Sequence, residues 1–502
     1  MSRRRELTRR EAIGELAVGA IALTLAGCGA QQLGRRDPAG STLRATFIDP
    51  SGDGELRLGP GEALVDRAEL APRSAPGTVL ATIAHLTDAH VMDAQSPARV
   101  PFLRRLGPPF NSTFRPQEAL SAHVLAGACR AIAALAPDAV IQGGDVIDNA
   151  QANELACALA LLAGGVAHPG SGARGYTGVQ SERDPDPFYY RPDIDAPRHP
   201  GLLASAMRAF SSAGLSMPVH PVLGDHDLLV QGVLAPIAAT RAIAVGSRAI
   251  WDLPSALRIP AGLSAAASGS SPDALAAPRL AEGLIVQAQS SPGVTVPSDP
   301  ARRELDVAEV LSRLRVAGRS PGTGPLLNHS FDVGDALRVI VLDLVRRDGG
   351  SGGVVQEGQE AWLAAELIAA GGRWVLVVSH QPLASSEGGE RLLALLDRER
   401  SVLAAISGHT HRNRITPRMS AAGGYWLIST CSLIDHPQQA RALRVRETAH
   451  RGALIETWML DHPPDGGVAE ISRQLAYLDA QGGRPQGFAG GPLDRNVRLF
   501  VR

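Results

Sequence analysis

Seven short apolar runs, at residues 79–86, 139–142, 217–223, 337–344, 374–379, 402–407 and 425–430, punctuate this 502-residue chain, and five of them stop at a cluster of Asp or His, most with Gly beside it. Their lengths, their Val and Ile content and their glycine flanks predict buried strands. Helical patterns at 116–136, 153–162, 358–369 and 389–398 fall between several of them. Strands alternating with helices predict an α/β architecture whose sheets are covered. Two stretches interrupt the rhythm. Residues 164–200 are dense in Gly, Pro, Asp and Arg, and residues 228–325 mix helical pieces with Ser/Pro/Gly-rich loops. Connections this long are either functional or disordered, and both read as insertions beside the site.

The five clusters carry the chemistry. Thr87-Asp88-Ala89-His90, Gly143-Gly144-Asp145-Val146-Ile147-Asp148-Asn149 and Gly224-Asp225-His226-Asp227 follow the first three runs. Ser379-His380-Gln381-Pro382 and Ser407-Gly408-His409-Thr410-His411-Arg412 follow two later ones. Carboxylate and imidazole suit divalent transition metals such as Zn, Mn and Fe. A D-x-H or H-x-H pair leaving a strand sends two donors to one side, because side chains alternate with period two. Ligands at the carboxyl ends of strands converge where open α/β sheets hold their sites. Glycines beside the donors let the backbone turn sharply. Taken singly, each cluster is a weak signal. Their joint occurrence in one order decides the reading.

That ordered set resembles the calcineurin-like metallophosphoesterase family, over residues 78 to about 434. The resemblance implies a four-layer αββα sandwich of two mixed β-sheets flanked by helices, with long insertions. It also implies two divalent or mixed-valence transition metal ions (Mn, Fe, Zn or Ni). Asp88, His90 and His411 would hold the first, Asp145 would bridge, and Asp225, His380 and His409 would hold the second. Such a pair, about 3.5–4 Å apart, activates a bridging water for in-line attack on a phosphate mono- or diester. His226 would stand near the scissile phosphate as a catalytic group, with Asp227 as its orienting partner. The chain departs from the family at Asp225, where asparagine is usual. The extra charge either balances a trivalent ion or weakens the pull on an anionic phosphate. Asp148 occupies the place of the iron-bound tyrosine of purple acid phosphatases, so a purple protein is not expected.

Other tempting residues read as packing. His85, His123 and His220 fall inside predicted strands or helices, while His329 and His436 fall in predicted loops. Cys129, Cys157 and Cys431 read as buried thiols. Phe188, Tyr189 and Tyr190 are either insertion core or a substrate wall. Arg412 is a candidate phosphate contact or a solvated side chain. The glycines at 349–353 lack a following GK[ST], which makes a loop the better reading than a phosphate cradle.

The N-terminus reads as an export signal. Arg3–Arg5 and Arg9-Arg10 precede an apolar run from 12 to 27, shorter than the roughly 20 residues a spanning helix needs. Thr8-Arg9-Arg10 resembles a twin-arginine signal and Leu25-Ala26-Gly27-Cys28 a lipobox, which implies an exported, extracytoplasmic protein anchored to the membrane by lipid at Cys28. The expected organisation is a signal at 1–28, a tether and irregular arm at 29–75, a catalytic domain at 76–460 and an extension at 461–502. All 49 basic residues are arginine and the net charge is -1, so no global field attracts nucleic acid. A nuclease therefore fits poorly. The rival from another class is a non-catalytic metal-binding or structural lipoprotein with a vestigial site. Oligomeric state and substrate are not legible.

Overall fold

The computed structural model describes residues 38–106, 110–172, 175–253, 276–449, 452–482 and 487–501. The expected signal, with Cys28, lies outside the described residues. Two mixed sheets form the frame. We number their strands β1 (Val65–Arg67), β2 (Pro76–Leu86), β3 (Ala139–Gln142), β4 (Val219–Pro221), β5 (His329–Val333), β6 (Leu337–Leu342) and β7 (Trp374–Ser379). They continue as β8 (Val402–Ser407), β9 (Arg414–Arg418), β10 (Tyr425–Ser429), β11 (Gln439–Thr448), β12 (Ala453–Asp461) and β13 (Val497–Val501). The first sheet runs β1-β13-β12-β11-β2-β3-β4 and the second β5-β6-β7-β8-β10-β9. Within them β2, β3 and β4 are parallel, as are β6, β7, β8 and β10.

Alternation along the strands builds the layers. In β2, Ala81 and Ile83 face the second sheet, meeting Val339, Val341, Leu376 and Val378 in a core between the sheets. The intervening Ala84 and Leu86 face helices α1 (Ser121–Leu135), α2 (Ala152–Ala163) and α3 (Val307–Gly318). On the far side, Ile340, Leu342, Val375 and Val377 pack under α4 (Gln359–Ala369) and α5 (Gly389–Leu396). Helix, sheet, sheet, helix: the expected four-layer architecture is present.

The sheet draws in residues on both sides of the expected 76–460 domain. Within the expected irregular arm, Ala45–Ile48 pairs with Arg57–Pro60, and β1 lies parallel to β13. β13 itself comes from the expected C-terminal extension, as does a helix at Val468–Gln481, α6. Residues 39–502 form one compact unit. His329, expected in a loop, is buried in the edge strand β5, where it pairs with Val341 of β6.

The insertions fold onto the site loops. Leu305 N donates to Ala150 O at 2.8 Å, and Arg302, fully buried, pairs with Asp93. Next to it Glu304 accepts a hydrogen bond from Thr240 Oγ1, and its other carboxyl oxygen is buried without a partner. Burial pushes Glu304 up to about 7, against the opposing hydrogen bond from Thr240. A carboxyl raised in the fold stabilises it fully below the unfolded value, near 4.5, and loses that contribution as pH rises to about 7. Glu304→Gln is therefore expected to flatten this slope and to raise stability at pH 8 by roughly 2–3 kcal/mol, read by paired thermal melts at pH 4.5 and 8. Equal pH dependence in both proteins would refute it.

Candidate metal centre

Every motif residue leaves the carboxyl end of a strand, and the two sheets aim them at one point. Asp88 and His90 follow β2, Asp145 follows β3, Asp225 follows β4, His380 follows β7, and His409 and His411 follow β8. The donor atoms of Asp88, His90 and His411 lie within 4.8 Å of one another, as do those of Asp145, Asp225, His380 and His409. Asp145 also groups with His90, whose Nε2 is 3.8 Å from Asp145 Oδ2. His380 Nε2 lies 3.0 Å from Asp145 and 3.2 Å from Asp225, and His409 Nδ1 is 3.2 Å from Asp225. All seven expected ligands are thus brought together, with Asp145 between the two groups.

The loops are strained into this shape. Asp88, His90, Asp145, His409 and His411 all adopt positive φ, between 44° and 63°. Non-glycine residues reach this left-handed region at a cost of about 1 kcal/mol or more each. Gly144, at φ 95°, leaves room for a ligand: a Cβ there would sit 2.4 Å from His380 Nδ1.

Proton placement follows from the partners. A carboxylate only accepts, so His90 Nδ1 donates to Asp148 Oδ1 at 2.9 Å and His411 Nδ1 to Asp435 Oδ2 at 2.6 Å. His380 Nδ1 donates to Gly143 O at 2.8 Å, which leaves its Nε2 buried without a hydrogen-bond partner. His90 Nε2 and His411 Nε2 lie 3.2 Å apart, a separation that one shared proton or one shared cation bridges. Asp88, Asp145 and Asp225 are buried, and among the described residues no arginine pairs with any of them. Their counter-charge comes from the surrounding imidazoles when these are protonated, or from metal ions when these are neutral ligands. The residues therefore fit two metal ions. This is a candidate dinuclear metal centre.

No family model matches the chain, and no curated relative does. Among solved structures it is similar to a dimetal phosphatase from Danio rerio, at 15% identity over 77% of this chain and 100% of that one, with a TM-score of 0.38. A purple acid phosphatase from yellow lupin seeds is similar at 12% identity over 76% of this chain and 52% of that one, with a TM-score of 0.32. PhoD is similar at 13% identity over 86% and 81%, with a TM-score of 0.29.

His226 stands at the edge of the centre, its ring centroid 4.4 Å from that of His90. Its Nδ1 donates to Asp148 O at 3.0 Å and lies 3.2 Å from Asp148 Oδ1. Burial opposes its protonation, but Asp145, Asp148 and Asp225 outweigh that and raise it to about 10. The expected pairing with Asp227 is not made. Asp227 instead accepts from the backbone N–H groups of Asp145, Val146, Ile147 and Gly224, at 2.9–3.2 Å. It fixes the turn that carries Asp145, and Asp148 takes the place beside His226.

Spacing alone does not reveal Asp148, Asp435, Arg115 and Gln381 as the partners that hold the ligands. Gln231 Nε2 donates to Asp148 Oδ2 at 2.7 Å. Arg115 holds both oxygens of Asp435, at 2.8 and 3.2 Å. Gln381 Nε2 donates to Asp225 Oδ1 at 3.0 Å. Such partners fix ring orientation and tautomer. Gly232, at φ 67°, lies so close to His226 that a Cβ would meet its Cδ2 at 2.3 Å.

The residues read as packing are packed. His220 stacks on Phe331 and His123 on Phe210, with centroids 3.4 and 4.3 Å apart, and His85 is fully buried in β2. His436 is half-buried beside Tyr477. Cys129, Cys157 and Cys431 are free and buried. Tyr189 is fully buried against Phe114, which makes it insertion core, and Phe188 carries the Arg105 guanidinium 4.2 Å above its ring. Gly350 N donates to Val233 O, so the 349–353 loop packs on the segment after Asp227.

Proposed function

We propose that the chain is a metal-dependent hydrolase of phosphate mono- or diesters. The observation that carries it is the convergence of seven Asp and His donors into two groups, with Asp145 also beside His90 and His226 at their edge. Asp88, His90, His411 and Asp145 would hold one ion, and Asp145, Asp225, His380 and His409 the other. When bound, the two ions supply a nucleophilic water at neutral pH and positive charge against the phosphoryl oxygens. His226, oriented through Nδ1 by Asp148, holds a proton at Nε2 and delivers it to the leaving ester oxygen. Asp148 keeps the imidazolium form favourable, and the side chain of Gln231 keeps Asp148 in place. Asp435 and Arg115 hold the His411 ring so that Nε2 faces inward.

The test pairs metal content by mass spectrometry with hydrolysis of bis-p-nitrophenyl phosphate and p-nitrophenyl phosphate under Mn, Zn, Fe and Ni. About two ions per chain with ester turnover supports the reading. Metal-free, inactive protein after reconstitution sinks it. Asp225→Asn keeps a ligand oxygen and removes one charge between metal and substrate. It is expected to weaken metal affinity and to raise kcat/KM severalfold at saturating metal. A fall in turnover would assign that charge to a trivalent ion.

Arg9-Arg10 and the Leu25–Cys28 segment support export and lipid anchoring of this enzyme. Cys28→Ala is expected to move the protein from the membrane fraction to the soluble one. Unchanged fractionation would count against the anchor.

A further inference from the structure

The loop that carries His411 is fastened to residues 488–494, which lie outside the expected 76–460 catalytic domain. Two residues after His411, Asn413 is buried, with its N–H and its side-chain amide all bonded. The N–H donates to Phe488 O at 2.8 Å and Nδ2 to Ala489 O at 3.1 Å. Its Oδ1 accepts from Cys431 N and from Arg441 Nη2, at 3.0 and 2.8 Å. The same Nη2 of Arg441, fully buried in β11, donates to Asp494 O at 2.9 Å, so one guanidinium ties the loop to the segment. Farther along, Ile415 N donates to Asp494 Oδ1 at 2.9 Å, and Arg67 of β1 donates to both Ile415 O and Leu493 O. Gly490, at φ 72°, seats against the loop so closely that a Cβ would meet Asn413 O at 2.6 Å. The Phe488 ring lies beside His411 itself, with centroids 6.2 Å apart. His409 is held by other means. Its N–H donates to the Asp88 carboxylate at 3.1–3.2 Å, and its ring packs edge-on against His380.

We propose that residues 488–494 are a positioning element for the ion at Asp88, His90 and His411, with Phe488 and Asn413 acting through His411. That ion, rather than the one at Asp225, His380 and His409, is then the first lost when the segment loosens. This rests on the two-metal reading of the site. A ligand ring binds well only when it is already held in one orientation, which is the work of the groups behind it. Asp435 fixes the Nδ1 edge of His411. Phe488 rests against its ring, and the Asn413 clip sets the backbone from which the ring projects. Linkage makes the coupling reciprocal, so filling the ion site should also tighten the segment.

The experiment titrates Zn(II) into the full-length protein against a competing chelator, comparing wild type with Gly490→Ala, Asn413→Asp and Phe488→Ala. Gly490→Ala adds the Cβ that the loop cannot accommodate. Asn413→Asp keeps the acceptor for Arg441 and removes the donor to Ala489 O. Each variant is expected to weaken one of the two ions by about 10–100-fold and to leave the other unchanged. Phe488→Leu should recover part of what Phe488→Ala loses. Gly466→Ala imposes similar left-handed strain, at φ 66°, where nothing lies within 4 Å, and should bind both ions as wild type does. Gly490→Ala is then placed in a His411→Ala background. With the ligand gone the segment has nothing to position, so the second change should weaken metal binding no further. Equal weakening of both ions, or a loss that adds in full to that of His411→Ala, would overturn the positioning role. The titration reads metal and not turnover, so a wild type that binds two ions but hydrolyses no ester would sink the hydrolase alone. A wild type that binds no metal would sink both.

Discussion

Asp145→Ala is expected to abolish turnover, a loss on the order of 10⁴-fold or more, and to reduce bound metal from two ions to one or none. The magnitude follows because metal activation of water and charge on the phosphoryl oxygens make up most of what such a site contributes. Asp145 alone belongs to a donor group with His90 and to the group with Asp225, His380 and His409. Its Oδ1 also accepts from His226 N at 2.8 Å, so its loss frees the loop that carries the proposed proton donor. Asp145→Asn separates the two contributions. The amide keeps the hydrogen-bond acceptor while removing the charge, so loop geometry should survive and metal affinity should not. Two retained ions and near-normal turnover in Asp145→Ala would refute the shared-ligand role.

The second large effect distinguishes Asp148 from Asp227. Asp148 contacts both His90, the proposed ligand, and His226, the proposed acid, and each contact is through Nδ1. Asp148→Ala is expected to lower turnover by about 10²–10⁴-fold, the usual worth of a positioned proton donor, and to weaken metal binding by about 10–100-fold. The protein should still fold. Asp227→Ala should behave differently, because it leaves four backbone N–H groups in a buried turn without their acceptor. At about 1–3 kcal/mol for each orphaned donor, several kcal/mol of stability would go. The variant should melt far below wild type whether or not metal is present. If Asp227→Ala melts normally and loses only activity, the turn-holding role is wrong.

The sequence made the site legible for a physical reason. Strands buried on both faces read as apolar runs, and β3, β7, β8 and the second half of β2 are of that kind. Chemistry must sit where such strands end, so the ligands could be located by adjacency alone. The antiparallel flank escaped because its pattern is diluted with charge. In β11 the arginines at 444 and 446 alternate with apolar residues and pair across the strand with Glu456 of β12. A run such as Gln439–Thr448 therefore lacks the uninterrupted apolar signal. The supporting shell was hidden by distance along the chain. Asp435 lies 24 residues from His411 and 320 from Arg115, and no local spacing links them. Asp227 misled for the opposite reason: it is the neighbour of His226 in sequence, yet the sharp turn sends its carboxylate back to the Asp145 loop.

β13 is inserted between β1 and β12, so the seven-stranded sheet has its last-made strand in its interior and its earliest strand at the rim. On an elongating chain, β1 has nothing to pair with until residues 497–501 have been synthesised, and until then β12 presents a bare edge. Completion of this sheet waits for a segment made after all its other strands. Deleting residues 497–501 would therefore unseat β1, expose a nine-residue edge strand to other chains, and turn a late step in assembly into a route to aggregation.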